Sequence, residues 1–414
     1  MNRIYVALLF LCAFVSGCGR EEEQPAVELV TGITMPSGEI FTPGDEVTVR
    51  AVGIESGDEI WFEVAWNEGS EGFAPNGTAK GIRGTVTGRT DRSISFLVPG
   101  HYPPAAVTVQ LFRSGCFQTL GTIRTGDGLQ HETMLYTWTA APDGGVTVAR
   151  CPMSGSAVAG EEVLSTRLPL EGIVGSIGQG VACGVSDGRL VELDLITRQV
   201  QELGEGCLLA GAVEPSVFGL YGRDEWLYLS ESERTSQPYS WRLPEGVTAD
   251  RIVRQPFACG FNALLLTVRN DDGTLSPLVL PLSGSGALLG PAVASEYLIP
   301  YWMMKPADDD PSRLERVGGY AALHGNQTWF QPLDPATLTL APTSAKADLV
   351  VTGRVVSMTQ CRISGEEGSE VRIGVLTDTD GRREVRICDP QHDTSEPVLS
   401  DEASSTVDGI FFAR

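Results

Sequence analysis

Helical periodicity is nearly absent from this chain: no stretch of about twelve residues places apolar side chains at i, i+3, i+4 and i+7. That excludes helical folds. Histidine is scarce, with His101, His131, His324 and His392 the four in 414 residues. None has a second His or a Cys at ligand spacing, so no metal is expected. Bases are few as well, 30 Lys and Arg against 53 Asp and Glu, a net charge of −23. Such a surface repels phosphate backbones, which argues against nucleic acid as a partner. It also argues against lying flat on anionic headgroups. No apolar run reaches the roughly 20 residues that span a bilayer. A phosphate loop, an H-E-x-x-H pair and a G-x-S-x-G elbow in a strand-turn-helix context are all missing. The expectation is a chain that is not an enzyme and needs no cofactor.

The amino terminus carries an address. Asn2 and Arg3 precede Ile4 to Val15, twelve residues apolar except for Tyr5, and then Ser16, Gly17 and Cys18. This is a signal-peptide core, too short to be a spanning helix. Small residues before a cysteine distinguish a lipobox from an ordinary secretory site, because the thiol takes the lipid before the peptide is cut. Residues 1–17 are read as a lipoprotein signal and Cys18 as the lipidation site, the anchor to the membrane. Several acyl chains on one residue exceed the two signals that stable anchoring requires. Cleavage removes one base, Arg3, and no acid, so the mature chain is more negative still. Residues 18–29 form an acidic tether. Its Glu21-Glu22-Glu23 resembles the surface-export signal of Bacteroidetes lipoproteins. The resemblance implies an outer-membrane protein facing the cell exterior; a plain solvated tether is the alternative.

Of nine cysteines, Cys12 is discarded and Cys18 lipidated. Cys116, Cys151, Cys183, Cys207, Cys259, Cys361 and Cys388 remain, an odd number with no C-x-x-C. The apolar neighbours of Cys183, Cys207, Cys259 and Cys361 suit buried thiols.

The remainder reads as all-β, in short alternating runs bounded by Gly, Pro, Asp and Asn. The first domain spans 30–126. It has a Pro43-Gly44-Asp45 corner, a strand Glu46 to Gly53 in which Val47 and Val49 alternate with Thr48 and Arg50, an acidic pair Asp58-Glu59 opening a strand, and a strand Ser93 to Pro99 ending in Val-Pro. This order resembles the IPT/TIG subtype of immunoglobulin-like β-sandwich. The resemblance implies a spacer or adhesion module without chemistry of its own.

From 129 to 414 the sequence repeats. Six hairpins share an apolar strand, a turn and an alternating strand. Their first strands begin at 134, 181, 217, 264, 320 and 373, about 48 residues apart. Turns such as Asp143-Gly144, Asp187-Gly188, Asp272-Gly273 and Asp380-Gly381 suit tight hairpins. Leu193-Asp194-Leu195-Ile196-Thr197 and Leu333-Asp334-Pro335-Ala336-Thr337 recur after their hairpins, resembling the outer-strand turn of β-propeller blades, where Asp and Thr bond the turn's own backbone. Gly409 to Arg414 reads as a final strand that closes the ring. The expectation is a six-bladed β-propeller, or a seven-bladed one if residues 281–316 hide another blade.

The site residues singled out are Tyr297, Tyr301 and Trp302, in a long interval between the fourth and fifth hairpins. Aromatics on a loop at one propeller face could grip a sugar or a protein; a buried strand of the same blade would also want them. Trp138, Trp226 and Trp329 are expected to pack between blades. The sialidase-type Ser-x-Asp-x-Gly box does not fit any turn here, and Asp378 and Asp380 miss the Gly and Glu of an EF-hand loop. The function expected is a non-catalytic surface lipoprotein displaying a binding propeller for a protein, peptide or glycan, in the manner of an accessory to a nutrient importer. A periplasm-facing assembly scaffold and, behind it, a propeller polysaccharide hydrolase or lyase are the alternatives.

Overall fold

A computed structural model of the chain describes residues 28–63, 82–100, 105–126, 133–151, 153, 160–176, 180–213, 216–223, 225–230, 239–306, 314–365, 368–390 and 394–413. Cys18, Trp66, His101, His131, His392 and the Asp308-Asp309-Asp310 run lie outside them. The chain is all-β, an immunoglobulin-like sandwich followed by a β-propeller.

The sandwich pairs a four-stranded sheet (Thr31–Thr34, Glu46–Val52, Ser93–Leu97, Thr85–Thr90) with a five-stranded one (Ile40–Phe41, Cys116–Thr125, Ala105–Arg113, Glu59–Glu63, Ile82–Arg83). Alternation decides which side chains meet between them. Val47, Val49 and Ala51 face inward while their neighbours are exposed, and Ile60, Phe62, Ile94, Phe96, Val109 and Leu111 fill the interior. Phe62 and Phe96 meet edge-on across the gap, with ring centroids 5.6 Å apart. The acidic pair that opens the Glu59 strand has a structural job. Asp58 is fully buried and takes both arms of the Arg113 fork, at 2.6 and 2.7 Å.

The propeller has six four-stranded antiparallel sheets. In each, the second and third strands are the hairpins legible in the sequence: Met134–Ala140 with Val146–Cys151, Val181–Ser186 with Arg189–Asp194, Ser216–Arg223 with Trp226–Ser230, Ala263–Arg269 with Leu275–Pro281, Leu314–His324 with Gln327–Pro332, and Gly368–Thr379 with Arg382–Asp389. The described residues of the 281–316 interval hold no seventh blade. They supply the short outer strand Leu288–Leu289 of blade 4 and the inner strand Leu298–Pro306 of blade 5. The last strand, Gly409–Ala413, pairs with Met134–Ala140 as the inner strand of blade 1. It packs between the inner strands of blades 2 and 6, Glu171–Gly175 and Arg354–Gly365, so the ring is closed by both ends of the domain. Closure leaves no sheet edge facing another chain at the seam.

The buried residues show why each sheet needs two neighbours. In the propeller they fall into six apolar clusters, each centred on one pair of adjacent blades. Tyr136, Phe411, Ile173 and Leu193 join blades 1 and 2, for example, and Leu376, Val385, Leu135 and Phe412 join blades 6 and 1. A strand such as Val181–Ser186, buried at every position, is covered on both faces. Trp226 departs from expectation: it is 37% exposed, at the outer part of blade 3, and not wedged between blades.

Within an antiparallel blade, the connection from strand one to two and that from three to four lie at one end; the central hairpin turn and the link to the next blade lie at the other. The immunoglobulin-like domain meets the first end, at blade 2. The Gly100 N–H donates to Asp194 Oδ2 at 2.9 Å, and the Gly180 N–H to the Gly100 carbonyl at 3.3 Å. The chain also enters the propeller at this end, since Met134 starts a second strand.

Candidate binding channel

The opposite end carries the cavities. The inner strands leave a central channel of about 280 Å³ to which all six blades contribute, through Trp138, Val174, Ala212, Phe257, Trp302 and Gln360. It adjoins a wider mouth of about 870 Å³, with which it shares Arg254, Gln255, Ile299 and Val356; that mouth is bordered by blades 4, 5 and 6 and edged by the hairpin turns at Gly325-Asn326 and Asp378-Thr379-Asp380. A third recess of about 460 Å³ lies beside it at Asp250 to Arg254. Arg254 lines all three. The mouth therefore opens away from the end where the first domain docks.

Turn chemistry sets the rim. Asp380 adopts φ 55° and Gly381 φ 83°, and the Gly381 N–H donates to Asp378 Oδ1 at 2.8 Å. Asp272 accepts from both the backbone and the hydroxyl of Thr274, and these bonds hold its carboxyl below the usual carboxylate range. These acids serve their own turns, as the spacing of the sequence predicts. His324 sits by the blade 5 hairpin turn, 2.9 Å from Gln331 Oε1 and edge-on to Trp329.

Tyr297, Tyr301 and Trp302 are buried at or next to the inner strand Leu298–Pro306, not on an exposed loop. The structure separates them. Tyr297 borders the mouth; its hydroxyl pairs with the Thr328 hydroxyl and accepts the Val355 N–H at 3.0 Å. Tyr301 points into the blade, where its hydroxyl donates to Asp348 at 2.6 Å; burial, then the Asp348 charge, pushes its pKa well above the tyrosine range. Trp302 lines the channel, with the Arg316 guanidinium 4.3 Å from its ring centroid.

Sequence reasoning missed the polar lining. Gln255 donates to Thr267 and to the Leu298 carbonyl. Gln360 accepts the Trp302 N–H at 3.0 Å, Ser357 accepts that of Ile410 at 3.1 Å, and Thr359 that of Phe412 at 3.0 Å. Asp408 accepts from Arg383 at 3.0 Å and from the Ala140 N–H at 2.8 Å. No local motif marks these residues, because the channel is assembled from segments more than a hundred residues apart.

Two domain families match the chain: a DUF4784 N-terminal Ig-like domain over residues 27–132 and a DUF4784 WD40-like domain over residues 212–354. A solved DUF4784 protein from Bacteroides caccae is similar at 20% identity and a TM-score of 0.59, over 93% of this chain and 100% of that one. TolB from Acinetobacter baumannii aligns at 11% identity and a TM-score of 0.45, over 80% of this chain and 82% of its own. A chain of a nidogen/laminin complex aligns at 11% identity and 0.43, over 68% and 99%. No curated protein matches.

Proposed function

The chain belongs to the DUF4784 family, and from that premise we propose that it is an outer-membrane lipoprotein, anchored through Cys18, whose immunoglobulin-like domain holds a non-catalytic binding propeller outside the cell. The observation that carries this reading is the direction of the channel mouth. The first domain, and the chain leading from it, attach at one end of the propeller, and the mouth opens at the other. An acylated amino terminus then places the mouth farthest from the membrane, where a partner arriving from solution meets it first. The lipobox at Val15 to Cys18 and the acidic Glu21-Glu22-Glu23 support the address.

The channel chemistry supports binding over catalysis. Asp408 is the carboxylate among the described channel-lining residues, and both of its oxygens are already engaged, by Arg383 and by the Ala140 N–H. Acid-base work needs a group free to exchange a proton with a substrate. An aromatic and amide lining around a preformed concavity suits recognition.

Protease shaving of intact cells tests the display. The reading predicts that added protease digests the chain without disrupting the outer membrane, and that mass spectrometry finds an acylated Cys18. Protection until the membrane is permeabilised would instead favour a scaffold facing the periplasm.

A further inference from the structure

Acids outnumber bases 53 to 30 in this chain, yet at the mouth four arginines, Arg254, Arg269, Arg354 and Arg383, face three carboxylates, Glu296, Asp378 and Asp380. One of these groups is neutralised within the fold, Arg383 by Asp408, while Asp378 accepts the Gly381 amide and keeps its charge. Three guanidiniums are not. Among the described residues Arg354 has no carboxylate within ion-pair distance and lies 5.7 Å from the centroid of the Tyr297 ring. Among the described residues the carboxylate that Arg254 reaches is the exposed Glu171, at 3.8 Å. Arg269 holds the Gly273 carbonyl at 3.4 Å. Each keeps most of its five donors for a ligand, and a guanidinium fork matches a carboxylate or a sulfate.

Below the mouth, the walls combine the half-buried Trp138 and the largely buried Phe257 and Trp302 with hydrogen-bonding groups that still have capacity. Among the described residues Gln255 has spent its amide hydrogens and keeps Oε1, while Gln360 has spent Oε1 and keeps its NH₂. Ser357 and Thr359 accept from backbone and keep their O–H donors. Flat apolar surface interleaved with single donors and acceptors is the complement of a sugar ring, which has C–H faces and an equator of hydroxyls. The same bonds disfavour a peptide. An extended peptide would add to an open strand edge, but the inward N–H groups of Trp302, Ile410 and Phe412 are already taken by side chains of blade 6. The channel volume, about 280 Å³, sits at the small-ligand end of binding sites.

We infer that the channel takes the acidic end of a saccharide chain, the terminal ring entering beside Trp138 and Trp302 and its carboxylate or sulfate meeting Arg254 and Arg354. This rests on the binding reading above and names the ligand class of that same site.

The test is calorimetric titration of the detergent-solubilised full chain with four probes: a hexuronic disaccharide, a sulfated disaccharide, the neutral disaccharide of the same linkage, and a tripeptide with a free carboxyl end. The inference predicts that at least one acidic disaccharide binds, that the neutral one binds at least about tenfold more weakly, and that the peptide does not bind. The uronic and sulfated arms identify which anion is read. Arg254→Gln and Arg354→Gln should each weaken acidic binding about tenfold, the scale of one charge-assisted hydrogen bond. Both residues are exposed, so the melting temperature should stay unchanged, which separates lost binding from lost folding. Equal binding of acidic and neutral probes, acidic binding insensitive to both substitutions, preference for the peptide, or no saccharide binding at all would overturn it. Shaving of intact cells is scored separately. A displayed chain that ignores every saccharide removes the ligand class and leaves the display reading standing.

Discussion

The Asp194 carboxylate accepts the Gly100 N–H across the domain boundary at 2.9 Å while its other oxygen accepts the N–H groups of Ile196 and Thr197 at 3.0 and 2.9 Å. One side chain thus shapes a propeller turn and seats the immunoglobulin-like domain on it. Gly100 is buried, and a Cβ there would lie 3.2 Å from both Asp194 Oδ1 and the Gly180 carbonyl, so glycine lets the two backbones close. Asp334 makes the same turn in blade 5, accepting from Ala336 and Thr337, and is exposed. The pair is a natural control. Asp194→Ala should cost about 1.5–3 kcal/mol more than Asp334→Ala, the worth of a further bond to a buried charged acceptor. Denaturant titration of both variants measures the difference; equal costs would show that the junction contributes nothing.

Ring closure can be tested on its own. Phe411 is fully buried and stacks on Tyr136 with centroids 5.3 Å apart, in the cluster shared by blades 1 and 2. Phe411→Ala should destabilise the propeller by about 3–5 kcal/mol. Deletion of the final strand should remove the propeller's unfolding transition and leave that of the first domain, because the sandwich has its own core. A calorimetric scan showing both transitions intact after the deletion would rule out closure by this strand.

Asp58 has no solvent exposure, and its partner Arg113 also binds Glu55 and the Gly53 carbonyl. Removing one member of a buried ion pair strands the other, at about 3–5 kcal/mol. Asp58→Ala should lower the sandwich transition by that amount and leave the propeller transition in place, readable in the same scan.

Burial pushes the Cys207 thiol up to about 12, and raises Cys151 and Cys388 for the same reason. Cys116 is half-buried. A thiol reagent at neutral pH should therefore label Cys116 in the folded protein and reach Cys151, Cys207 and Cys388 only in denaturant, as peptide mapping would report. The raised values also fix the alkaline behaviour. A group whose folded pKa exceeds its unfolded one stabilises the fold below the unfolded value and loses that contribution as pH rises through the folded value. Buried Tyr301 and Tyr320 shift in the same direction. The melting temperature should hold up to about pH 9 and fall between there and pH 12; a flat profile through that range would contradict the burial of these groups.

The blade count was legible because the central hairpins carry the two signals a sequence shows best. Val181 to Val185 and Ala263 to Leu266 are apolar runs, and turns such as Asp187-Gly188 need positive φ. The inner strands were not legible. Ala258–Gly260 is three residues long. Glu171–Gly175 ends in a glycine because a Cβ there would lie 2.1 Å from the Phe412 carbonyl, and in blade 3 one on Gly211 would lie 2.4 Å from the Phe257 ring. Close approach, not alternation, chooses those residues, and it leaves no period to read. The aromatic run at Tyr297 to Met304 stood out, but composition cannot say which way each ring points. Arg254 and Gln255 lie outside any strand, and their importance comes from segments brought beside them by ring closure.

The central claim is that the channel mouth faces the cell exterior. Thr379 is exposed on the rim of that mouth, so a Thr379→Cys chain in a Cys116→Ser background offers a thiol at the rim. Labelling intact cells with a membrane-impermeant maleimide tests the claim most directly. The account predicts full labelling without permeabilisation, and slower labelling when an acidic disaccharide occupies the site. Labelling that begins only after the outer membrane is opened would contradict it.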